Sequence, residues 1–278
     1  MQSDHHVPSE GTAFLFKNIF PFSLSVPSYI YPAGIKENIL LLKDMVDEIE
    51  LVLFESYDAS NIPTPSDIRE FKDIATDAGI RFNVHLPLDA DLAHPEEGPR
   101  RHALDTVNEI IHSTWPLDPT TYTLHINKPE KQEHAQWLDT VQESLMHVQC
   151  PSRLVSIENL NYDLIEIGPV IESMDFSVCM DIGHLIVDKY DIASFFNHFR
   201  DRLTTIHLHG VDENGKDHLP LNVLPEETLF TIGETILEHD FKGTLSIEVF
   251  SYDHLMASGG ILAWKALKNF TMRPQQGF

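Results

Sequence analysis

Short runs of apolar and β-branched residues recur along the chain. Each is followed by a polar loop and then by a longer stretch with helical periodicity. The short runs predict strands over 22–26, 50–55, 81–86, 122–126, 154–158, 177–181, 204–209 and 244–250. The longer stretches predict helices over 35–46, 66–78, 99–113, 131–147, 162–173, 191–199, 226–239 and 254–267. Thr64-Pro65-Ser66-Asp67 is a helix start, with an early proline and a side chain able to cap, and Gly79 is a helix stop. Pro225-Glu226-Glu227 opens another helix with acids placed well for its dipole. Leu51-Val52-Leu53-Phe54 and Phe176-Ser177-Val178-Cys179-Met180 show little clean alternation, as parallel strands buried on both faces do. Eight such repeats predict an α/β fold, a single (β/α)₈ TIM barrel over residues 12–271. Residues 1–11 read as a disordered lead-in and 272–278 as a loose tail. A doubly wound open sheet also alternates strands and helices, but no nucleotide-binding glycine motif accompanies it here.

Composition narrows the classes. With 278 residues, 42% hydrophobic and 22% charged, the chain has the make-up of a globular protein with a sizeable core. Forty-three acidic side chains against 19 Lys and Arg leave a net charge of −24, which repels a phosphate backbone and makes nucleic acid a poor partner. Two cysteines, Cys150 and Cys179, make no disulfide framework and no C-x-x-C motif. The apolar runs fall far below the ~18 residues that span a bilayer, and the opening residues lack a signal-peptide pattern. A cytoplasmic protein with no membrane partner is therefore expected. Histidine is the anomaly, with 16 copies.

In a TIM barrel the βα loops meet at the C-terminal ends of the strands, so chemistry is sought there. The second predicted strand ends at Glu55, the third at His85, the fourth at His125, and the fifth at Glu158 followed by Asn159. The sixth ends at Asp181 with His184 in the next loop; the seventh carries His207 and His209, followed by Asp212, Asp217 and His218; the eighth carries Glu248. A lone strand-end histidine is usually a hydrogen-bonded structural residue, and a lone carboxylate often caps the next helix. Six successive strands delivering such groups to one rim need a compensating partner, because unpaired buried charges are costly. A divalent metal is the simplest, and imidazole with carboxylate suits zinc, manganese or iron. The remaining histidines read as ordinary: His5 and His6 in a polar tail, His102, His112, His134, His147, His198 and His239 on helices, His94 and His254 in loops or at helix starts. The acidic run 44–50 reads as a solvated face. Glu55 either positions substrate or caps its loop, and Lys128 either meets an anionic substrate or lies on the surface. His209 shares a strand face with His207, as a ligand or in support of one.

These residues occur in ordered motifs: Asn83-Val84-His85-Leu86-Pro87, Thr123-Leu124-His125, Ser156-Ile157-Glu158-Asn159, Met180-Asp181-Ile182-Gly183-His184, Ile206-His207-Leu208-His209, Asp217-His218-Leu219-Pro220 and Ser246-Ile247-Glu248. Their order resembles the xylose-isomerase-like barrel superfamily, which includes endonuclease IV-type phosphodiesterases and sugar epimerases. Similarity to the epimerases implies one metal site of Glu158, Asp181, His207 and Glu248. Similarity to the phosphodiesterases implies more: His85 and His125 on a first ion, Asp181, His207 and Glu248 on a second, and Glu158 bridging. A third ion would use His184 and His218, but Lys216 stands where that pattern has an aspartate, and Asp217 is displaced by one position. Ser28-Tyr29-Ile30-Tyr31-Pro32-Ala33 and Val46-Asp47-Glu48-Ile49-Glu50-Leu51-Val52-Leu53-Phe54-Glu55-Ser56 are in turn similar to cobamide-remodelling phosphodiesterases, as are Asp181-Ile182-Gly183-His184-Leu185 and His207-Leu208-His209-Gly210-Val211. That resemblance implies hydrolysis of a cobamide nucleotide loop.

The first expectation is thus a metal-dependent phosphodiester hydrolase of a small molecule, with Glu158, Glu248 and His207 as its catalytic groups. The second is a metal-dependent sugar isomerase or epimerase with Glu158 and Glu248 as acid and base. The third is a non-catalytic metal- or ligand-binding barrel, since a fold does not fix a function.

Overall fold

The computed structural model describes residues 16–53, 55–57 and 62–272. The lead-in of residues 1–11 and the tail beyond Met272 lie outside them. Eight parallel strands close into a barrel in sequence order: β1 (Ser23–Pro27), β2 (Glu48–Val52), β3 (Arg81–His85), β4 (Tyr122–Leu124), β5 (Val155–Glu158), β6 (Ser177–Asp181), β7 (Leu203–Leu208) and β8 (Thr244–Ile247). Helices α1 (Ile35–Leu42), α2 (Pro65–Ala78), α3 (Glu97–Thr114), α4 (His134–Leu145), α5 (Gly168–Ser173), α6 (Ile182–Asp188), α7 (Ile192–Phe199), α8 (Glu226–Glu238) and α9 (Tyr252–Met272) fill the connections. The expected (β/α)₈ TIM barrel is therefore the observed fold.

Local chemistry explains the boundaries. Thr64 caps α2 by accepting from the Asp67 amide, while the Asp67 carboxylate accepts from the Thr64 amide. Gly79 ends that helix at φ +64°, in the left-handed region where a side chain is strained. The predicted helix 162–173 divides into a 3₁₀ turn, Leu164–Ile167, and α5, because Pro169 cannot continue an existing ladder but suits a first turn. The short α6 was not anticipated; it begins directly on the last residue of β6. No helix among the described residues is long and apolar enough to cross a membrane.

Two sequence expectations about the strands are corrected. The second strand lies at Glu48–Val52, so Glu55 falls beyond it, exposed in the loop. Glu48 and Glu50, read as part of a solvated acidic face, are wholly buried. The strands also alternate more strictly than expected. Leu24, Ile49, Leu51, Phe82, Val84, Tyr122, Ile157, Val178, Met180, Ile206 and Leu245 belong to the apolar core packed with the helices. Their neighbours in sequence, among them Ser25, Glu48, Glu50, Asn83, His85, Ser156, Glu158, Asp181, His207 and Ser246, are buried and polar. Hydrogen bonds across the barrel place these groups inside it: Asn83 donates to Ser25 Oγ at 2.9 Å and Glu48 Oε1 at 2.8 Å, and Ser246 donates to Glu50 Oε2 at 2.6 Å. The interior is thus a stack of hydrogen-bonded polar residues in place of the branched hydrocarbon layers usual in TIM barrels.

Glu48 forms the floor of this stack. Its carboxylate accepts from Asn83, Thr120 and Thr244 and pairs with Arg81 at 3.4 Å. Burial pushes its pKa up, and the hydrogen bonds from Thr120 and Asn83 only partly oppose that. A carboxyl group whose folded-state pKa is raised favours folding most below its unfolded-state pKa, and that contribution is lost as pH rises through the folded value. Glu48→Gln fixes the neutral form with little change of shape. Its stability relative to the parent should therefore improve as pH is raised from about 4 to about 7. Urea denaturation across that range measures the trend, and a difference independent of pH would mean that Glu48 titrates alike in both states.

Candidate metal centre

The strand period carries the polar stack upward to the C-terminal mouth. There β3 ends at His85, β5 at Glu158 and β6 at Asp181, while His125, Asn159, His209 and Glu248 follow closely on β4, β5, β7 and β8. Asp181 serves twice: it ends β6 and caps α6, accepting from the His184 amide at 2.7 Å, which brings His184 over the mouth. Asn159 clamps the same strand end, donating to the Asp181 carbonyl at 3.0 Å and accepting from its amide at 2.7 Å. His218 lies in the loop after β7, where Gly210 and Leu219 form a β-bridge.

Glu158 is the hub. Its Oε2 stands 3.2 Å from His85 Nε2, 3.1 Å from His125 Nε2 and 3.6 Å from His207 Nδ1, and its Oε1 is 3.5 Å from His184 Nδ1. His207 Nδ1 is 3.3 Å from Glu248 Oε1. Three-donor groups with all ligand atoms within 4.8 Å include His85–Glu158–His207, Glu158–Asp181–His184 and Glu50–His207–Glu248. The structure therefore brings together His85, His125, Glu158, Asp181, His184, His207, His218 and Glu248, the whole expected ligand set.

Hydrogen bonds determine which nitrogens are available. A backbone carbonyl can only accept, so the Nδ1 contacts of His85 with Leu86 O (2.9 Å), His184 with Asn159 O (3.1 Å) and His218 with Glu248 O (3.1 Å) place a proton on each Nδ1. In the neutral rings Nε2 then carries a lone pair. For His85 that lone pair faces a carboxylate oxygen, an arrangement that repels unless a cation lies between, and Nδ1–H donation to a carbonyl is the usual support of a metal-ligating imidazole. Glu50 Oε1 and both nitrogens of His207 are fully buried without a hydrogen-bond partner. Of these, His207 Nδ1 faces Glu248 at 3.3 Å and Glu158 at 3.6 Å, and an unpartnered imidazole nitrogen among carboxylates fits a zinc, manganese or iron ion.

His209 behaves differently. Proximity groups it with His184 and His218, but both its nitrogens are committed. Nδ1 accepts the His218 amide at 3.0 Å, a closer contact than the 3.4 Å to the Gly210 carbonyl, which favours the proton on Nε2, 3.2 Å from Asp181. The ring packs where a glycine must stand, since a Cβ on Gly183 would lie 1.8 Å from His209 Cε1. His209 thus anchors Asp181 and the His218 loop.

The electrostatics follow from enclosure. Burial alone would raise the pKa of Glu158, yet His125 and His207 hold it well below the usual carboxylate range. Burial pushes Glu248 well up, and Glu50, Asp181 and Glu158 add to that against the pull of His207. Burial would likewise raise Asp181, but His209 and His184 keep it low. Burial disfavours the imidazolium of His207, but Cys179, Glu248, Glu50 and Glu158 together raise its proton affinity well above normal. A cluster this acidic attracts cations, and protons take that place when no metal does.

The other expected residues lie apart from this hub or only border it. Glu55 is exposed beyond β2. Lys128 pairs with Glu166 at 2.5 Å and lies 5.5 Å from the Trp137 ring centre, which is the surface role. Asp217 is half-buried beside His218, and Lys216 is exposed. The sequence reading missed Glu50, 3.1 Å from His207 Nε2. Its signal was the alternation Glu48-Ile49-Glu50-Leu51, overlooked because the acidic run was assigned to solvent.

The model of the family described as xylose isomerase-like TIM barrel matches residues 41–269. No curated protein sequence matches the chain. Among solved structures, a D-tagatose 3-epimerase-like protein superposes with TM-score 0.75 at 18% identity, over 90% of this chain and 98% of that one. The 3-keto-D-glucoside 4-epimerase YcjR from E. coli, in apo form, gives 0.68 at 16% identity, over 88% and 98%. D-Psicose 3-epimerase from Clostridium cellulolyticum H10, solved with D-tagatose, gives 0.64 at 15%, over 89% and 92%. At these identities the likeness is one of fold. With the closed eightfold barrel and the family match over residues 41–269, the chain belongs to the xylose isomerase-like TIM barrel family.

Proposed function

We propose that this chain is a divalent-metal-dependent enzyme working on a small polar substrate at the barrel mouth, and that its reaction is isomerisation or epimerisation of a sugar or sugar phosphate. The observation that carries the metal is the convergence of His85, His125 and His207 on the buried Glu158, with both nitrogens of His207 lacking a hydrogen bond. The epimerases among the structures of like fold support the reaction class. This reverses the order expected from the sequence, where phosphodiester hydrolysis came first.

In this reading Glu158, Asp181, His207 and Glu248 would hold the ion, which would polarise a carbonyl oxygen of the substrate and so acidify the adjacent carbon. Glu158 and Glu248, 3.6 and 3.3 Å from His207 Nδ1, are the two carboxylates available as base and acid. Glu158 takes the carbon-bound proton while His85 and His125 steady the carboxylate at 3.2 and 3.1 Å. Glu248 returns a proton to the carbon or oxygen that needs it. Asn159 and His209 keep Asp181 in place.

Phosphodiester hydrolysis, with a cobamide as one candidate substrate, remains the second reading because one four-ligand ion leaves His85, His125, His184 and His218 without a metal. It requires Glu158 to bridge two ions, with a third ion on His184 and His218 lacking the acidic member that Lys216 replaces.

Elemental analysis of untagged protein separates the two. One ion per chain, retained in His85→Ala and lost in Glu158→Ala, supports the epimerase. Two or three ions, one of them lost in His85→Ala, overturn it in favour of hydrolysis. In the epimerase case, solvent deuterium enters the substrate carbon, and Glu158→Gln or Glu248→Gln should lower kcat by about 10²–10⁴-fold. Stoichiometric metal without turnover on ketoses or phosphodiesters would point to a binding barrel. Gly183→Ala tests the support of Asp181: the displaced His209 ring should weaken metal binding at least about tenfold, at a stability cost of about 1–3 kcal/mol. Metal affinity equal to the parent's would remove His209 from the site.

A further inference from the structure

Glu50 is the one carboxylate at the centre that no expected ligand set contains. It is wholly buried on β2, and its two oxygens have distinct surroundings. Oε2 accepts the Ser246 hydroxyl at 2.6 Å. Oε1 makes no hydrogen bond and stands 3.1 Å from His207 Nε2. His207 differs in turn from the histidines around it. His85, His184 and His218 each have Nδ1 on a backbone carbonyl, which leaves Nε2 for a ligand. Neither nitrogen of His207 has such a partner, and it is Nδ1 that faces Glu248 at 3.3 Å and Glu158 at 3.6 Å. If Nδ1 is to donate electrons to a metal, the proton must be on Nε2, and Glu50 Oε1 is the acceptor at hand.

We propose that Glu50 is the positioning residue of the metal centre: its Oε1 takes the Nε2–H of His207, so that this histidine alone ligates through Nδ1. Ser246 fixes the carboxylate from β8, Glu50 fixes the imidazole from β2, and His207 presents its lone pair from β7. His207 pairs with Ser246 in register on adjacent strands, and the Ser246 hydroxyl reaches Glu50 across the barrel. Outer carboxylates of this kind raise ligand basicity as well as fixing the tautomer. The inference rests on the metal reading above and holds for one ion or two. It excludes the other arrangement that proximity allows, in which Glu50 itself binds the ion together with His207 and Glu248.

The test uses the full chain, labelled with ¹⁵N-histidine and titrated with zinc alone. In the zinc-loaded parent, long-range ¹H–¹⁵N spectra should show the His207 proton on Nε2 and a metal-shifted Nδ1. Glu50→Gln keeps an acceptor at Oε1 and should keep that tautomer, with zinc affinity within about tenfold of the parent. Glu50→Leu removes the acceptor and should give mixed tautomers and a loss of about 10–100-fold in affinity, at unchanged stoichiometry. Ser246→Ala, which disturbs Glu50 but leaves Oε1 in place, should fall between the parent and Glu50→Leu. A proton on His207 Nδ1 in the loaded parent overturns the proposal, as does parental zinc affinity in Glu50→Leu. Loss of a whole equivalent of zinc in Glu50→Gln would make Glu50 a ligand and overturn it too. Should Glu50→Leu not fold, the parent spectrum and Glu50→Gln decide the matter alone. A parent that binds no zinc overturns the metal reading as well, which the same titration distinguishes.

Discussion

Four carboxylates enclosed at one end of a barrel are the constraint on which the rest of this structure depends. Glu50, Glu158, Asp181 and Glu248 are all within 5% of full burial, where an uncompensated charge would cost several kcal/mol. The molecule answers with imidazoles: each of these carboxylates lies within 3.3 Å of at least one histidine nitrogen. Imidazoles alone do not complete the answer. Three of the rings have Nδ1 protons engaged by backbone carbonyls, and His207 has no satisfied nitrogen. What remains is a demand for positive charge in a small volume, and the histidines are oriented to share it with a cation.

Such a centre can be afforded only because the other face of the same strands is apolar. Ile49 and Leu51 belong to the core beneath the helices while Glu48 and Glu50 face inward, and the same two-residue period runs through β3, β5, β7 and β8. The hydrophobic effect acts on the outer layer and holds the closed sheet. The inner layer is then free to be polar, provided each group finds a partner. At the floor Glu48 finds partners in Asn83, Thr120, Thr244 and Arg81, whereas at the mouth Glu50 Oε1 and both nitrogens of His207 have no hydrogen bond.

The eight repeats and the strand-end residues were legible because each strand is short and apolar on its helix side, and β3 to β8 each carry a titratable group at or just after their ends. His85, Glu158 and Asp181 lie at the very ends of their strands, as expected. Glu50 was not legible as a site residue because β2 begins two residues earlier than its apolar run implies. Side chains alternate with a period of two, so the facing of an acidic run turns on where the strand is taken to start. Glu55, by the same displacement, was given a place at the rim that belongs to the loop. The role of His209 was equally hidden. Sequence places it on the face of His207, but only the close approach to Gly183 and the amide of His218 decides that it anchors and does not ligate. The helix α6 escaped because seven residues carry too little periodicity, although Asp181, its cap, had been singled out for chemistry.

Fold likeness and site geometry pull in different directions here, and the tension is itself informative. The likeness to epimerases is spread over nine-tenths of the chain but at 18% identity or less, and folds of this class carry unrelated reactions. The site is more particular. A single-ion mechanism requires four ligands from β5 to β8, yet β3 and β4 also deliver histidines, and both meet the same oxygen of Glu158. If one ion is bound, those two imidazoles act as the counter-charge that keeps Glu158 a base in a dry barrel. If two are bound, they are ligands and Glu158 is the bridge. The same three atoms, His85 Nε2, His125 Nε2 and Glu158 Oε2, would serve either of the two proposed reactions, which differ here by whether protons or a metal ion sit between them.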